Sequence, residues 1–173
     1  VYDLDFWVRH LTEWMDAVDA PNARIVGNSF GGALTLALAA RHPERVNRFV
    51  LMGAAGVPFE MTPGLAAVWN YQPSLENMRE IVKSFAYDTS FITDDLIKSR
   101  YEASIRPGYQ ESYSSIFGAT RQDTIQALVT PEADVRAINR RALVIHGRDD
   151  KIVPLSNSYQ LHALIEKSDL HVF

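Results

Sequence analysis

The sequence predicts an α/β fold, a mostly parallel sheet with an inserted set of helices, from three observations. Short apolar runs of strand length alternate with helical patterns. The pentapeptide Gly27-Asn28-Ser29-Phe30-Gly31 stands at a strand-to-helix junction. A long, non-repetitive stretch from Ala54 to Asn139 separates the second apolar run from the third, far beyond an ordinary connection in such a fold.

The elements follow in chain order. Leu4, Trp7, Val8, Leu11, Trp14, Met15 and Val18 fall at helical spacing, so Asp3 to Asp19 reads as an amphipathic helix capped by Asp3 or Asp5. Pro21-Asn22 ends it, and Arg24 to Asn28 is a short strand. An alanine- and leucine-rich helix runs from Gly31 to His42 and stops at Pro43. Arg48 to Gly53 and Ala142 to His146 are strands apolar on both faces, as in a buried parallel sheet. Leu155 to Glu166 is a helix, and Leu170 to Phe173 a fourth strand. Inside the long stretch, Leu75 to Ala86 and Thr93 to Ala103 are helical, with Thr93 as cap and Asp94 and Asp95 in the first turn. The chain therefore divides into a core formed by 1–56 and 136–173, and an inserted helical lid, 57–135.

Composition narrows the function. The chain has 173 residues, 47% hydrophobic and 22% charged, ordinary for a globular domain with a real core. A formal net charge of −4 argues against a nucleic-acid partner. There is no cysteine, so disulfides, thiolate metal sites and a cysteine nucleophile are out. No apolar run is long enough to span a membrane, and no signal peptide is visible. A cytoplasmic protein is expected.

The pentapeptide matches G-x-S-x-G, the nucleophile elbow of the α/β-hydrolase fold. Such a turn holds the serine oxygen above the sheet and crowds the backbone, so glycine is expected on both sides. The following helix points its N–H groups at the site, and the backbone N–H of Phe30 is the expected oxyanion donor. Gly32 extends the close packing. His146-Gly147-Arg148-Asp149-Asp150 follows the third strand, where catalytic groups of open α/β sheets collect. The chain order Ser…Asp suits a Ser…Asp…His triad, and Asp150 is the expected acid, with Asp149 a flanking charge.

A base is harder to find. Of the five histidines, none follows the acid on a loop after the next strand. His10, His42 and His162 are on helices, His146 ends a buried strand, and His171 lies within the last one. The chain also opens without an initiator methionine, and no earlier strand supplies a second oxyanion donor. The expectation is a fragment, truncated at both ends, whose base lies beyond Phe173. Such a truncated sheet would expose an edge prone to aggregation.

The stretches GNSFGGALTLALAARHPERV, LMGAAGVPF, AVWNYQPS, SFAYD, SIRPGYQE, TPEADVRAI and LVIHGRDDKIVPL together resemble the meta-cleavage product hydrolases of aromatic catabolism. The resemblance runs from near Tyr2 to Phe173 and includes the lid. It implies hydrolysis of a carbon–carbon bond in a ring-fission product of the 2-hydroxymuconic semialdehyde type. The products would be 2-hydroxypenta-2,4-dienoate and formate or another small acid, made without cofactor or metal. The partner is a small molecule, and at full length a homo-oligomer is expected.

In that family Ser29 matches the nucleophile, Asp150 the triad acid and Phe30 the oxyanion donor. Asn28 matches a position near the substrate's polar end; it equally reads as a turn residue bonded to its own backbone. Arg100 aligns with an arginine that engages the substrate's carboxylate and enol oxygens, which a guanidinium fork suits; the bland reading is a surface pair with Glu102 or Asp95. Trp69, Phe59, Met61, Leu65 and Ile152 line the apolar end of the pocket or are plain core. Two competing readings stand: a carboxylesterase of the same fold, and an inactive lidded binding module.

Overall fold

The computed structural model describes residues 2–116 and 121–173; within the insertion, 117–120 lie outside the description. Four strands, β1 (Ala23–Asn28), β2 (Val46–Met52), β3 (Arg141–His146) and β4 (Ser168–Val172), form one sheet in that order, and every pairing is parallel. Parallel neighbours require crossovers. These are α2 (Phe30–Arg41), then the whole insertion with α8 (Glu132–Arg136), then α9 (Leu155–Leu164).

Sequence explains why these helices cover the sheet. Helix α1 (Leu4–Ala17) starts where Asp3 accepts a 2.8 Å hydrogen bond from the Phe6 N–H, and it buries Leu4, Val8 and Met15. Helix α2 buries Ala33, Thr35, Leu36, Ala37, Leu38 and Ala39, because it is enclosed by β1, β2, α1 and α8. Small side chains let it sit close: a Cβ added at Gly32 would lie 2.4 Å from the Cβ of Ala54. Helix α9 packs on β3 and β4, and Val135 of α8 joins the same core as Leu36, Leu51, Val144 and Leu161. Each fully buried aliphatic side chain of this kind contributes about 1.5–3 kcal/mol.

The sequence led us to expect strands buried on both faces, and this holds on one face only. Phe49, Leu51, Ala142, Val144 and His146 point into the helices, whereas Val26 is 66% exposed and Met52 and Leu143 about half that on the other face. Apolar composition marked β2 and β3 as two-sided; in the described residues the helices α1, α2, α8 and α9 pack together on one side.

The insertion carries α3 (Pro63–Trp69), α4 (Leu75–Ser84), α5 (Asp94–Ser104), α6 (Tyr109–Ile116) and α7 (Arg121–Ala127). Thr62, Ser74 and Thr93 cap the first three by accepting from Leu65, Asn77 and Leu96 N–H groups. The Thr93 cap of α5 agrees with the sequence reading, which named no cap for α4. Helix α3 was not anticipated, although Thr62-Pro63 is a cap followed by proline at the first helical position. A small core of Tyr71, Met78 and Ile97 joins α4 and α5. The insertion leaves and rejoins the core at one point, where the Thr130 N–H donates to the Gly56 carbonyl at 2.9 Å.

Its near end stands on the loop after β3. A Cβ at Gly64 would meet the Lys151 carbonyl oxygen at 2.2 Å, and the Thr62 hydroxyl donates to the Ile152 carbonyl at 2.8 Å. Elsewhere in a helix, glycine to alanine stabilises by about 0.5–1 kcal/mol. Here the contact is backbone, so Gly64→Ala is expected to destabilise by about 1–3 kcal/mol. Urea unfolding monitored by circular dichroism checks the sign.

Candidate active site

Ser29 lies between β1 and α2 with φ 53° and ψ −116°, a conformation that glycine adopts and L-residues avoid. Serine is a favoured N-cap, yet Ser29 makes no side-chain cap bond to α2, unlike Asp3, Thr62, Ser74 and Thr93 at their helices. Its hydroxyl is therefore not used by the helix. The backbone is held from both sides: the Ser29 N–H donates to the Met52 carbonyl at 2.9 Å, and the Ser29 carbonyl accepts from Ala55 N–H at 3.1 Å and Gly32 N–H at 3.0 Å.

The expectation of glycine on both sides is corrected at one position. A Cβ at Gly27 would lie 2.4 Å from the Gly31 carbonyl oxygen and the Thr35 hydroxyl, so Gly27 is required. A Cβ at Gly31 meets nothing within 4 Å. The crowding comes from helix α2 closing over the end of β1, and the close approaches fall at Gly27 and Gly32.

Phe30 begins α2, and its N–H has no acceptor among the described residues, as befits the first turn of a helix. Its ring packs edge-on against Trp7, with centroids 5.5 Å apart. Asn28 is exposed at the end of β1, and no described hydrogen bond ties its side chain back to its own turn.

Asp150 stands across the end of β2 from Ser29. Its Oδ1 accepts from the Ile152 N–H at 2.7 Å and the Val153 N–H at 3.0 Å. Its Oδ2 lies 3.4 Å from Nε2 of His146. A Cβ on Gly53, whose φ is +47°, would come within 3.2 Å of the same oxygen. Since Ser29 bonds to Met52 and Ala55, and Asp150 abuts Gly53, one short segment separates the two. Burial pushes the Asp150 carboxyl up, but the bonds from His146, Ile152 and Val153 outweigh it and hold it below the ordinary carboxylate value. Asp149 is exposed, which distinguishes the two aspartates as the sequence led us to expect.

Phe59, Met61, Leu65, Trp69 and Ile152 all meet in one cluster with Ile125 and Val153, so the proposed apolar wall is a single surface beside the acid loop. Arg100 is exposed on α5. No hydrogen bond or ion pair among the described residues joins it to Ser29, Asn28 or Asp150. Its bland pairing is not seen either: Glu102 is 3.9 Å from Lys98, and Arg79 takes the neighbouring Asp94. Sequence reasoning missed Gly53, Thr62 and Gly64, and it assigned His146 no part at the acid. Only the histidine's fixed distance before Asp150 hinted at a contact. The described residues hold no cluster of three metal-ligating side chains.

A serine oxygen released from capping, an unpaired N–H beside it and a carboxylate fixed nearby can together support nucleophilic attack on a carbonyl, once a base is supplied. The strain at Ser29 is worth about 1–3 kcal/mol. Ser29→Gly is therefore expected to unfold at a higher temperature than Ser29→Ala, measured by calorimetry. Because Asp150 is depressed in the folded state, its stabilising contribution is complete above its unfolded value of about 3.9 and fades as pH falls through the folded one. The stability gap between the parent chain and Asp150→Asn should narrow below about pH 4, in urea titrations over a pH series.

Comparison with known proteins agrees with this geometry. The family model described as the alpha/beta hydrolase fold matches residues 1–173. The 2-hydroxy-6-oxo-2,4-heptadienoate hydrolase of Pseudomonas putida (strain F1) is 52% identical over 172 residues, covering 99% of this chain and 62% of that protein. The 2-hydroxymuconate semialdehyde hydrolase of Pseudomonas sp. (strain CF600) is 50% identical, with 99% and 61% covered. The solved structure of the meta-cleavage product hydrolase CumD from Pseudomonas fluorescens IP01 superposes with a TM-score of 0.97 at 53% identity, covering 100% of this chain and 64% of that one. The chain thus spans a little over three-fifths of the length of these relatives. On this ground, the chain belongs to the alpha/beta-hydrolase fold family and is similar throughout to its meta-cleavage product hydrolases.

Proposed function

We propose that the chain carries the nucleophile and the acid of a hydrolase that cuts a carbon–carbon bond in a meta-ring-fission product. The observation that carries the reading is the strained, uncapped Ser29 at the mouth of α2, with Asp150 fixed across the end of β2. The two relatives named for 2-hydroxy-6-oxo-2,4-heptadienoate and 2-hydroxymuconate semialdehyde support the substrate class.

In this reading the dienol substrate first becomes its keto form. Ser29, or a water it helps to place, attacks the remote carbonyl, and the Phe30 N–H receives the developing oxyanion. The carbon–carbon bond then breaks. Its electron pair remains on the dienolate fragment, which takes up a proton to leave as 2-hydroxypenta-2,4-dienoate. Water completes the release of the small acid, formate for a semialdehyde. Asp150 orients a histidine base and stabilises its charged form, a part that His146, buried and already bonded, does not play. Residues 57–135 form the lid. Arg100 grips the substrate carboxylate, Asn28 borders its polar end, and Trp69 and Ile152 bound its apolar end. No cofactor takes part, and the complete enzyme is a cytoplasmic homo-oligomer.

The enzyme made from its complete reading frame tests this. Ser29→Ala should abolish turnover of a ring-fission substrate, followed by loss of its visible absorbance. Arg100→Ala should lower kcat/KM for that substrate by about 10–100-fold, the loss of one charged hydrogen bond, while sparing a p-nitrophenyl ester. A large preference of the parent enzyme for the ester would favour a carboxylesterase instead.

A further inference from the structure

We propose that His146 and Ser158 are a buried positioning pair for Asp150, an inference that rests on the acid's role in the proposed hydrolase. His146 is the last residue of β3 and is 1% exposed; Ser158, on α9, is fully buried. The His146 Nδ1 lies 2.6 Å from the Ser158 hydroxyl oxygen. Nε2 lies 3.0 Å from the Val153 carbonyl oxygen and 3.4 Å from Asp150 Oδ2.

The partners decide the tautomer. A carbonyl and a carboxylate only accept, so Nε2 carries the ring proton, donates to the Val153 carbonyl and faces Asp150 Oδ2 at the longer distance. In the neutral ring Nδ1 is then an acceptor, and the Ser158 hydroxyl donates to it. The ring is thus held at both nitrogens by groups from two elements, α9 and the loop after β3. This divides the carboxylate of Asp150 between two fixed supports. Oδ1 is held by the N–H groups of Ile152 and Val153, and Oδ2 is steered by His146 Nε2 from below while Gly53 leaves room beside it. Two anchored oxygens set the plane of the carboxylate, and the plane decides where a catalytic histidine can donate to it.

The competing account is a satisfied core histidine that binds the Val153 carbonyl and matters only for stability. Two side-chain amides separate the accounts. In His146→Gln the amide reaches the position of Nε2 and returns a donor to Asp150. In His146→Asn the shorter amide reaches only the position of Nδ1, so Ser158 keeps a partner and Asp150 loses its donor. In the enzyme from its complete reading frame, assayed well below its melting temperature, His146→Asn should lower kcat at least about tenfold with KM unchanged, and His146→Gln should restore most of it. The loss should be the same for an ester and for a ring-fission substrate, because the acid serves both. If the parent cleaves only esters but the losses hold, the positioning pair stands and the carbon–carbon reading falls. Equal kcat in both variants and the parent, with only stability changed, would overturn the pair. Should the variants fail to fold, the nitrogen-15 shifts of His146 in the unmodified protein decide: a proton on Nε2 is expected, and a proton on Nδ1 refutes the pair.

Discussion

The structure depends on one backbone constraint, the capture of Ser29 in a conformation that an L-residue avoids. Four main-chain hydrogen bonds involve this residue, one to Met52 at the end of β2, one from Ala55 just beyond it, and two from Gly32 and Ala33 of its own helix. They exist because β1 and β2 pair in parallel with Asn28 opposite Met52, which brings the end of one strand against the continuation of the other. The strain is thus sustained by sheet register and by the close seat of α2 on Ala54, rather than by anything Ser29 itself gains. A side chain that would ordinarily satisfy the helix end is left with its oxygen uncommitted.

Asp150 is placed by a different logic, that of a tight polar turn. Its carboxylate closes the loop on itself through Ile152 and Val153, and His146 and Gly53 meet its second oxygen. The same loop is the footing of α3, through the Lys151 and Ile152 carbonyls. Backbone polar groups that would otherwise be left open at a strand end are used to seat the insertion. The end of β2 thereby joins Ser29, Asp150 and the insertion within a few residues.

Much of this was legible in the sequence because it depends on local rules. The strand–turn–helix at Gly27 to Gly31, the cap at Thr93 and the cap of α1, narrowed to Asp3 or Asp5, all follow from short-range spacing. What was not legible depends on contacts far apart in the chain. Gly64 looks like an ordinary weak helix residue until Lys151 is placed against it. Gly31 looks as necessary as Gly27 until the space beside it is seen to be open. Val26 and Leu143 look buried because apolarity does not say which neighbour covers them. His146 was read only as the end of a buried strand, because its contacts with Ser158 and Asp150 needed the packing of α9 on β3.

The footing of α3 on the acid loop has an evolutionary consequence. In the proposed enzyme, widening the cleft by displacing α3 would drag the Asp150 carboxylate out of alignment, so selectivity and chemistry would not be free to drift apart at that wall. The α4–α5 pair keeps its own small core and caps, away from that loop. Divergence toward bulkier compounds should therefore accumulate on the α4–α5 side, leaving the Thr62–Gly64 foot unchanged.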